Sequence, residues 1–231
     1  MTEKDFIAFA RDVLKFEFKD TSLLVTALTH RSWVNEARRA RGLEHNERLE
    51  FLGDAVLELV STEFLFERYD EQEGIMTNWR SALVRTESIG AAADKLNVFD
   101  NMRMSRGERN STERARLQML ANAYEAIVGA IYTDQGYTPA KKFITDTVLV
   151  TLDEILETGS WQDAKSRLQE LAQAEENFTP TYKVLQEAGP DHDKTFTVGV
   201  YVGSDLRGKG SGTSKQHAQQ SAAEDALSAY N

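Results

Sequence analysis

The sequence predicts two domains: an all-α domain over residues 1–156 and a small α+β domain over 163–231, with a linker at 157–162. Three observations carry this. The chain has three prolines, Pro139, Pro180 and Pro190, so its first 138 residues lack the residue that breaks helices. Apolar residues before position 157 recur at three- and four-residue spacing, the period of a helix face. Further on, Phe196, Val198, Val200 and Val202 alternate with Thr195, Thr197, Gly199 and Tyr201, the period of a strand.

In chain order, Phe6, Ile7, Phe9, Ala10, Val13 and Leu14 mark a first helix. From Glu47 onward, Leu49, Leu52, Ala55, Val56, Leu59 and Val60 form an apolar stripe. Further helices are expected from Thr77 to about Lys95 and from Glu113 to Tyr132. Gly136 sits where a C-cap belongs, and Thr138 and Pro139 fit the N-cap and first turn of a helix reaching about Leu156. Glu157-Thr158-Gly159-Ser160 is polar linker chemistry. The second domain opens with a helix from Asp163 to Ala174, followed by strands at Thr181–Leu185 and Thr195–Val202 around the turn Gly189-Pro190-Asp191-His192-Asp193. Leu206-Arg207-Gly208 reads as a short third strand and Gly208–Gly212 as a glycine-rich turn. On the last helix Ala218, Ala222, Ala226 and Tyr230 recur every four residues, small enough to lie close on a sheet. The order is α-β-β-β-α.

Composition excludes several classes. The chain has no cysteine, which removes disulfide scaffolds, iron–sulfur centres and cysteine-based zinc sites. Apolar runs are as short as Ala126–Tyr132, far below the ~18–20 residues of a membrane span. The opening Met-Thr-Glu-Lys-Asp has no apolar signal region, so a cytoplasmic protein with no membrane partner is expected. Net charge is −10, and residues 161–231, with seven basic and ten acidic residues, are also acidic. Global charge therefore argues against nucleic acid. Two local stretches dissent: Arg103, Arg106, Arg109, Arg114 and Arg116 against Glu108 and Glu113, and Arg207, Lys209 and Lys215 with no acid among them. Each is either a solvated face or a contact for an anionic partner.

Glu47, Glu50 and Asp54 lie at i, i+3 and i+7, which stacks three carboxylates on one helix face; Glu58 continues the row. Such a row is either a solvated face or the wall of a cleft. The interleaved Phe51, Leu52, Gly53, Ala55 and Val56 favour the cleft. Glu125 stands alone in the apolar segment Leu120–Tyr132 and calls for a partner or a metal. Carboxylates converging from two helices suit a hard, oxygen-seeking cation such as Mg²⁺, which serves phosphoryl chemistry.

The segment His45-Asn46-Glu47-Arg48-Leu49-Glu50-Phe51-Leu52-Gly53-Asp54-Ala55-Val56-Leu57 closely resembles the signature of the ribonuclease III family. Thr29-His30-Arg31-Ser32, Glu73-Gly74 with Arg80 and Val84, and Glu125-Ala126 with Gly129-Ala130-Ile131-Tyr132 resemble it as well. The tail resembles a double-stranded RNA-binding domain in Asp163–Leu171, in Gly189–His192 with Phe196, and in Gly212–Lys215 with Ala218, Ala222 and Ala223. The resemblance implies a bacterial-type endoribonuclease that hydrolyses double-stranded RNA with Mg²⁺ (Mn²⁺ in its place) and leaves 5′-phosphate and 3′-hydroxyl ends. It implies a homodimer, no nucleotide cofactor, and substrates such as ribosomal RNA precursors and duplexes in messages. By position, Glu50 and Glu125 would be metal ligands. Asp54, Glu125 and Glu47 would be catalytic, with Asp54 placing the attacking water and Glu47 contacting RNA or the neighbouring shell. Glu73 falls near the cleft, Arg48 would hold the acids together, and Phe51 would plug into the partner subunit or sit in the core. In the tail, Gln169, Glu170 and Gln173 would meet one minor groove and His192 the next, while Thr213, Ser214 and Lys215 would meet phosphates at a helix start. His192 alone would read as a turn histidine. Gln216 stands where the pattern has a second Lys, which predicts weaker, less salt-sensitive binding. Asn122 stands where the family usually carries an acid, and is assigned to the metal. The alternative is a double-stranded RNA-binding protein whose catalysis is impaired by Asn122; a helical interaction protein is the more distant rival.

Overall fold

The computed structural model describes residues 2–36, 44–190, 194–228 and 230. The chain divides into two compact units, Met1–Thr158 and Gly159–Asn231.

The first unit is helical: α1 Glu3–Phe9, α2 Thr21–Ala27, α3 Arg31–Glu36, α4 Glu47–Arg68, α5 Glu73–Val84, α6 Thr86–Lys95, α7 Val98–Asn101, α8 Arg106–Arg109, α9 Glu113–Gln135, α10 Tyr137–Thr147 and α11 Leu152–Thr158. Helix α9 is its axis. Ala121, Ala123, Tyr124, Ala126, Ile127, Val128, Ala130 and Ile131 are all buried, which is more than one stripe, as in a helix surrounded by others. Helices α2, α4, α6 and α10 pack on it.

Several helices differ from expectation, each for a local reason. The first ends in a π-helical turn at Ala10–Leu14, closed by Lys15 at φ 55°. The span expected from Thr77 to Lys95 is two helices, α5 and α6, because Arg85 takes an extended conformation between them. The helix expected to run to Leu156 breaks at Val148 and resumes through a 3₁₀ turn, Leu149–Thr151, into α11. Gly136, at φ 87°, both ends α9 and precedes α10. Helix α10 therefore starts at Tyr137, not after Thr138, and Pro139 lies in its first turn.

The second unit comprises α12 Ala164–Glu176, the antiparallel sheet β1 Thr181–Ala188, β2 Thr195–Val202 and β3 Asp205–Gly212 in that order, and α13 Lys215–Leu227. Val198 and Val200 pack against Leu168, Ala218, Ala222 and Ala226. The main correction is β3. The glycines read as a turn are strand residues, with Gly208 opposite Val200, Gly210 opposite Val198 and Gly212 opposite Phe196. A Cβ on Gly210 would lie 2.2 Å from the Ala222 nitrogen. The glycines are there because helix α13 rests its backbone on the strand, a close approach that no side chain permits.

Candidate active site

Helices α4 and α9 meet backbone to backbone. A Cβ on Gly53 would lie 1.8 Å from the Glu125 carbonyl oxygen, and one on Gly129 would lie 2.1 Å from that of Leu49. Only glycine at both positions allows this crossing. The depth of α4 is set at its start, where the N–H of buried Asn46 donates to the Thr29 carbonyl (2.9 Å). Helix α9 is capped by Thr112, whose hydroxyl accepts from the Ala115 N–H (3.3 Å).

This crossing puts Glu50 and Asp54 of α4 against Glu125 of α9. Glu50 and Glu125 are half-buried, while Glu47 and Asp54 are exposed. Burial, then the charges of Asp54 and Glu50, push the Glu125 carboxyl up to about 8. Burial, then the charges of Glu47 and Asp54, raise the Glu50 carboxyl too; Arg31 and a hydrogen bond from Asn122 oppose that rise. The acidic row is therefore coupled across two helices rather than dispersed in solvent.

Asn122 lies one turn before Glu125 on α9. Its oxygen accepts from Gln118 Nε2 (2.7 Å). Asn122 is expected at the metal; its oxygen accepts one hydrogen bond and keeps a second lone pair. Glu47 lies at the rim, 3.4 Å from Arg31 Nη1 and 3.8 Å from His45 Nδ1. Arg48, expected to hold the acids together, points away to Glu44 (4.0 Å); Arg31 takes that place. Glu58 is paired with Arg80 at 3.0 Å, and Glu73 meets Thr77 at 3.4 Å. Gln118, four residues before Asn122, is its neighbour on the same helix face.

Phe51 faces solvent at 82% exposure, with Leu59 (57%) and Phe66 (76%) along the same helix. Its apolar surface is therefore not core. The dissenting arginine run is largely engaged within the fold. Arg103 lies over the Phe6 ring, Arg109 donates to the Met102 carbonyl (3.0 Å), and Arg116 pairs with Asp94 (2.6 Å). Arg106 and Arg114 are exposed.

In the second unit Gln169, Glu170 and Gln173 share the exposed side of α12. Gln162 donates to Glu170 (3.2 Å) and Gln173 to Asn177 (2.6 Å). Ser214 caps α13, accepting from the His217 N–H (3.2 Å), next to exposed Thr213 and Lys215. Lys215 lies 3.4 Å from Glu187 and over the Phe196 ring. His192 lies outside the described residues.

A model of the Ribonuclease-III-like family matches residues 20–152, and one of the double-stranded RNA binding motif matches 164–230. The ribonuclease 3 of Desulforamulus reducens is 44% identical over 93% of this chain and 87% of its own length. That of Caldanaerobacter subterraneus is 40% identical over 96% of this chain and 97% of its own.

The chain belongs to the ribonuclease III family.

It is an endoribonuclease, a hydrolase of phosphodiester bonds, with a double-stranded RNA-binding motif behind its nuclease unit. Among solved structures, the nuclease domain of ribonuclease III from Campylobacter jejuni is 39% identical with a TM-score of 0.54, covering 61% of this chain and 97% of that one. That structure is described for flexibility in a region involved in dimer formation. No helix among the described residues is long and apolar enough to cross a membrane.

Proposed function

We propose that this ribonuclease III-family chain cleaves double-stranded RNA in the cytoplasm by Mg²⁺-dependent hydrolysis, as a homodimer. Its substrates would be structured precursors such as ribosomal RNA and duplexes in messages. The observation that carries the chemistry is the meeting of Glu50, Asp54 and Glu125 at the Gly53–Gly129 crossing. Half-buried carboxylates that raise one another are a site of excess negative charge, which a cation relieves.

The donor set fits such an ion. Among the described residues no three Asp, Glu or His side chains form a ready-made cage. Mg²⁺ is held in just this way, by one or two carboxylates with water and substrate phosphate oxygens completing its shell, and Mn²⁺ shares the preference for oxygen. Glu50 and Glu125 would hold it. Bound there, the ion supplies a Lewis acid and lowers the pKa of water.

Asp54, exposed one turn beyond Glu50, orients the attacking water. Water adds in line to a backbone phosphorus and the bond to the 3′ oxygen breaks, leaving 5′-phosphate and 3′-hydroxyl ends. Glu47, restrained by Arg31 and His45, borders the path of the strand. Phe51, Leu59 and Phe66 supply the dimer face, since so large an apolar stripe is costly in water. A two-fold dimer would give two cleavage sites, one per strand. In the second unit, α12 meets a minor groove and the start of α13, with Lys215, meets phosphates.

The test is Glu125→Gln: cleavage of a duplex with Mg²⁺ should disappear while duplex binding persists. Retained cleavage at saturating Mg²⁺ would remove Glu125 from the mechanism. A monomer mass by light scattering at micromolar concentration would refute the dimer.

A further inference from the structure

Resting on the RNA-binding reading of the second unit, we propose that the outer face of its sheet is a second RNA site, one for single-stranded RNA, centred on Gly199 between Lys183 and Lys209. Helices α12 and α13 cover the inner face, where Val198 and Val200 are buried. The alternate residues therefore point outward. Lys183 of β1 and Lys209 of β3 both stand opposite Gly199 of β2, one on each side, so two ammonium groups flank the central strand on one face. Their Cα atoms are two strand spacings apart, about 10 Å. Leu185 and Leu206, both exposed, lean over the glycine: a Cβ on Gly199 would lie 3.0 Å and 2.8 Å from their Cδ1 atoms. The next outward residue along β2 is Tyr201, with Lys183 Nζ 4.8 Å from the centre of its ring.

The kind of ligand follows from charge. The chain carries a net −10, and other cations of this unit are bound to acids: Arg207 to Glu176, and both Lys194 and Lys215 to Glu187. Lys183 and Lys209 form no ion pair among the described residues, and no carboxylate occupies an outward register position of the sheet. An acidic protein thus sets two unneutralised cations around an exposed apolar floor, a combination that fits an anion with flat apolar parts. Single-stranded RNA supplies both: a phosphate on each nucleotide for the lysines, and a base face for Tyr201 and the leucines. Lys183 is exposed and long enough to exchange the ring for a phosphate, which opens the ring to a base. The Thr197 and Ser211 hydroxyls, 3.0 Å apart on the same face, offer donors and acceptors to sugar 2′-hydroxyls. Duplex RNA is assigned to α12 and the start of α13, on the helical side of the unit. A strand that leaves the duplex can therefore be held by the sheet without competing for that surface.

The experiment measures binding of a short fluorescein-labelled oligouridylate to the full chain by fluorescence anisotropy, with a chelator present and at low salt. Saturable binding in the range of about 1–100 µM is expected, as for other contacts that are chiefly electrostatic. Lys183→Gln together with Lys209→Gln should weaken it about tenfold and reduce the salt slope by roughly 1.4, two phosphates at about 0.7 each for a single strand. Tyr201→Leu, which keeps apolar bulk and removes the ring, should weaken it about fivefold or more. Duplex affinity of the lysine double variant should stay within about twofold, since no contact assigned to the duplex changes. Saturating unlabelled duplex should not displace the oligouridylate. No saturable binding, or binding unmoved by the two lysine substitutions, would overturn the inference. Displacement by duplex would overturn it too, by placing the oligonucleotide on the helical side. Lysine-dependent binding of poly-L-glutamate but not of oligouridylate would assign the face to an acidic protein segment instead. In each case retained duplex affinity leaves the RNA-binding reading intact, whereas an unaltered chain that failed to bind duplex would refute that reading, and this inference with it.

Discussion

Both units of the molecule are closed by the same device, a glycine backbone laid against a helix, but each brings different chemistry into contact. In the nuclease unit Gly53 and Gly129 let α4 touch α9, and the contact carries Glu50, Asp54 and Glu125 together. In the RNA-binding unit Gly208 and Gly210 let α13 touch β3, and the contact buries Ala218, Ala222 and Ala226. The second crossing is apolar and stabilises its unit. The first places like charges where water is scarce, which costs stability that only a cation or protons recover. Close approach by itself therefore does not mark a function; what the approach gathers does.

The largest expected effect breaks the charged crossing chemically. Glu125→Gln should reduce duplex cleavage about a thousandfold or more, since in the proposed mechanism several kcal/mol of transition-state stabilisation depend on the ion Glu125 would hold. Duplex affinity, which the proposal assigns to the apolar crossing's unit, should stay within twofold in a filter-binding assay. A parallel loss of affinity would show that the acidic crossing also carries binding.

The next effect breaks each crossing sterically. Gly53→Ala puts a Cβ 1.8 Å from the Glu125 carbonyl, and Gly210→Ala puts one 2.2 Å from the Ala222 nitrogen. Neither neighbour is a flexible side-chain end, so about 1–3 kcal/mol or more of destabilisation is expected from each. Hydrogen exchange should quicken in α4 and α9 for the first and in β3 and α13 for the second. Gly53→Ala should lose cleavage, and Gly210→Ala should lose duplex affinity. Identical exchange profiles for the two variants would dissolve the contrast.

These glycines also show where the sequence could be read and where it could not. Periodicity located α4, α9 and β2 because each is long or strictly alternating, and four-residue alanine spacing located α13. The third strand was underestimated because Gly-Lys-Gly-Ser-Gly has the local chemistry of a turn; only its contact with α13 explains the residues, and that contact is not local. The break at Arg85 lacks a Gly or Pro to announce it. At the site, carboxylate spacing placed Glu47, Glu50 and Asp54 on one helix. The convergence with Glu125 required two glycines on different helices to meet, and no spacing encodes which helices will cross. Arg48 departs from its expected place because a side chain's choice between neighbours depends on tertiary geometry.

A smaller effect concerns pH. The folded state holds the Glu125 proton up to about 8, whereas an unperturbed glutamate releases it near 4.5. Between these values the folded chain binds more protons than the unfolded one, so metal-free stability falls as pH rises. His30, half-buried and held below 6.5 chiefly by that burial, opposes this trend at the acidic end. The measurement is therefore the difference between the unaltered chain and Glu125→Gln in melts with a chelator at pH 5 and pH 8. The variant should gain most at pH 8, and Mg²⁺ should stabilise the unaltered chain more at pH 8 than at pH 5, because the ion displaces the proton. A pH-independent difference would mean that Glu125 stays charged in the fold.

The smallest expected effect lies on the other unit, where binding charge is sparse. Lys215 lies 3.4 Å from Glu187, which also pairs with Lys194 (3.2 Å), and Gln216 supplies no second cation. A phosphate approaching the start of α13 must therefore compete with Glu187 for Lys215. Lys215→Ala should weaken duplex binding only a few-fold and reduce the salt slope by roughly one phosphate's share, about 0.7–0.9. Glu187→Gln should act oppositely, freeing Lys215 and tightening binding slightly, most visibly at low salt where exposed charges are least screened. Cleavage at saturating RNA should be unchanged in both, because neither residue belongs to the charged crossing. If Glu187→Gln weakened binding instead, Glu187 would be holding Lys215 in the orientation that meets RNA, and the acid would belong to the binding surface rather than compete with it.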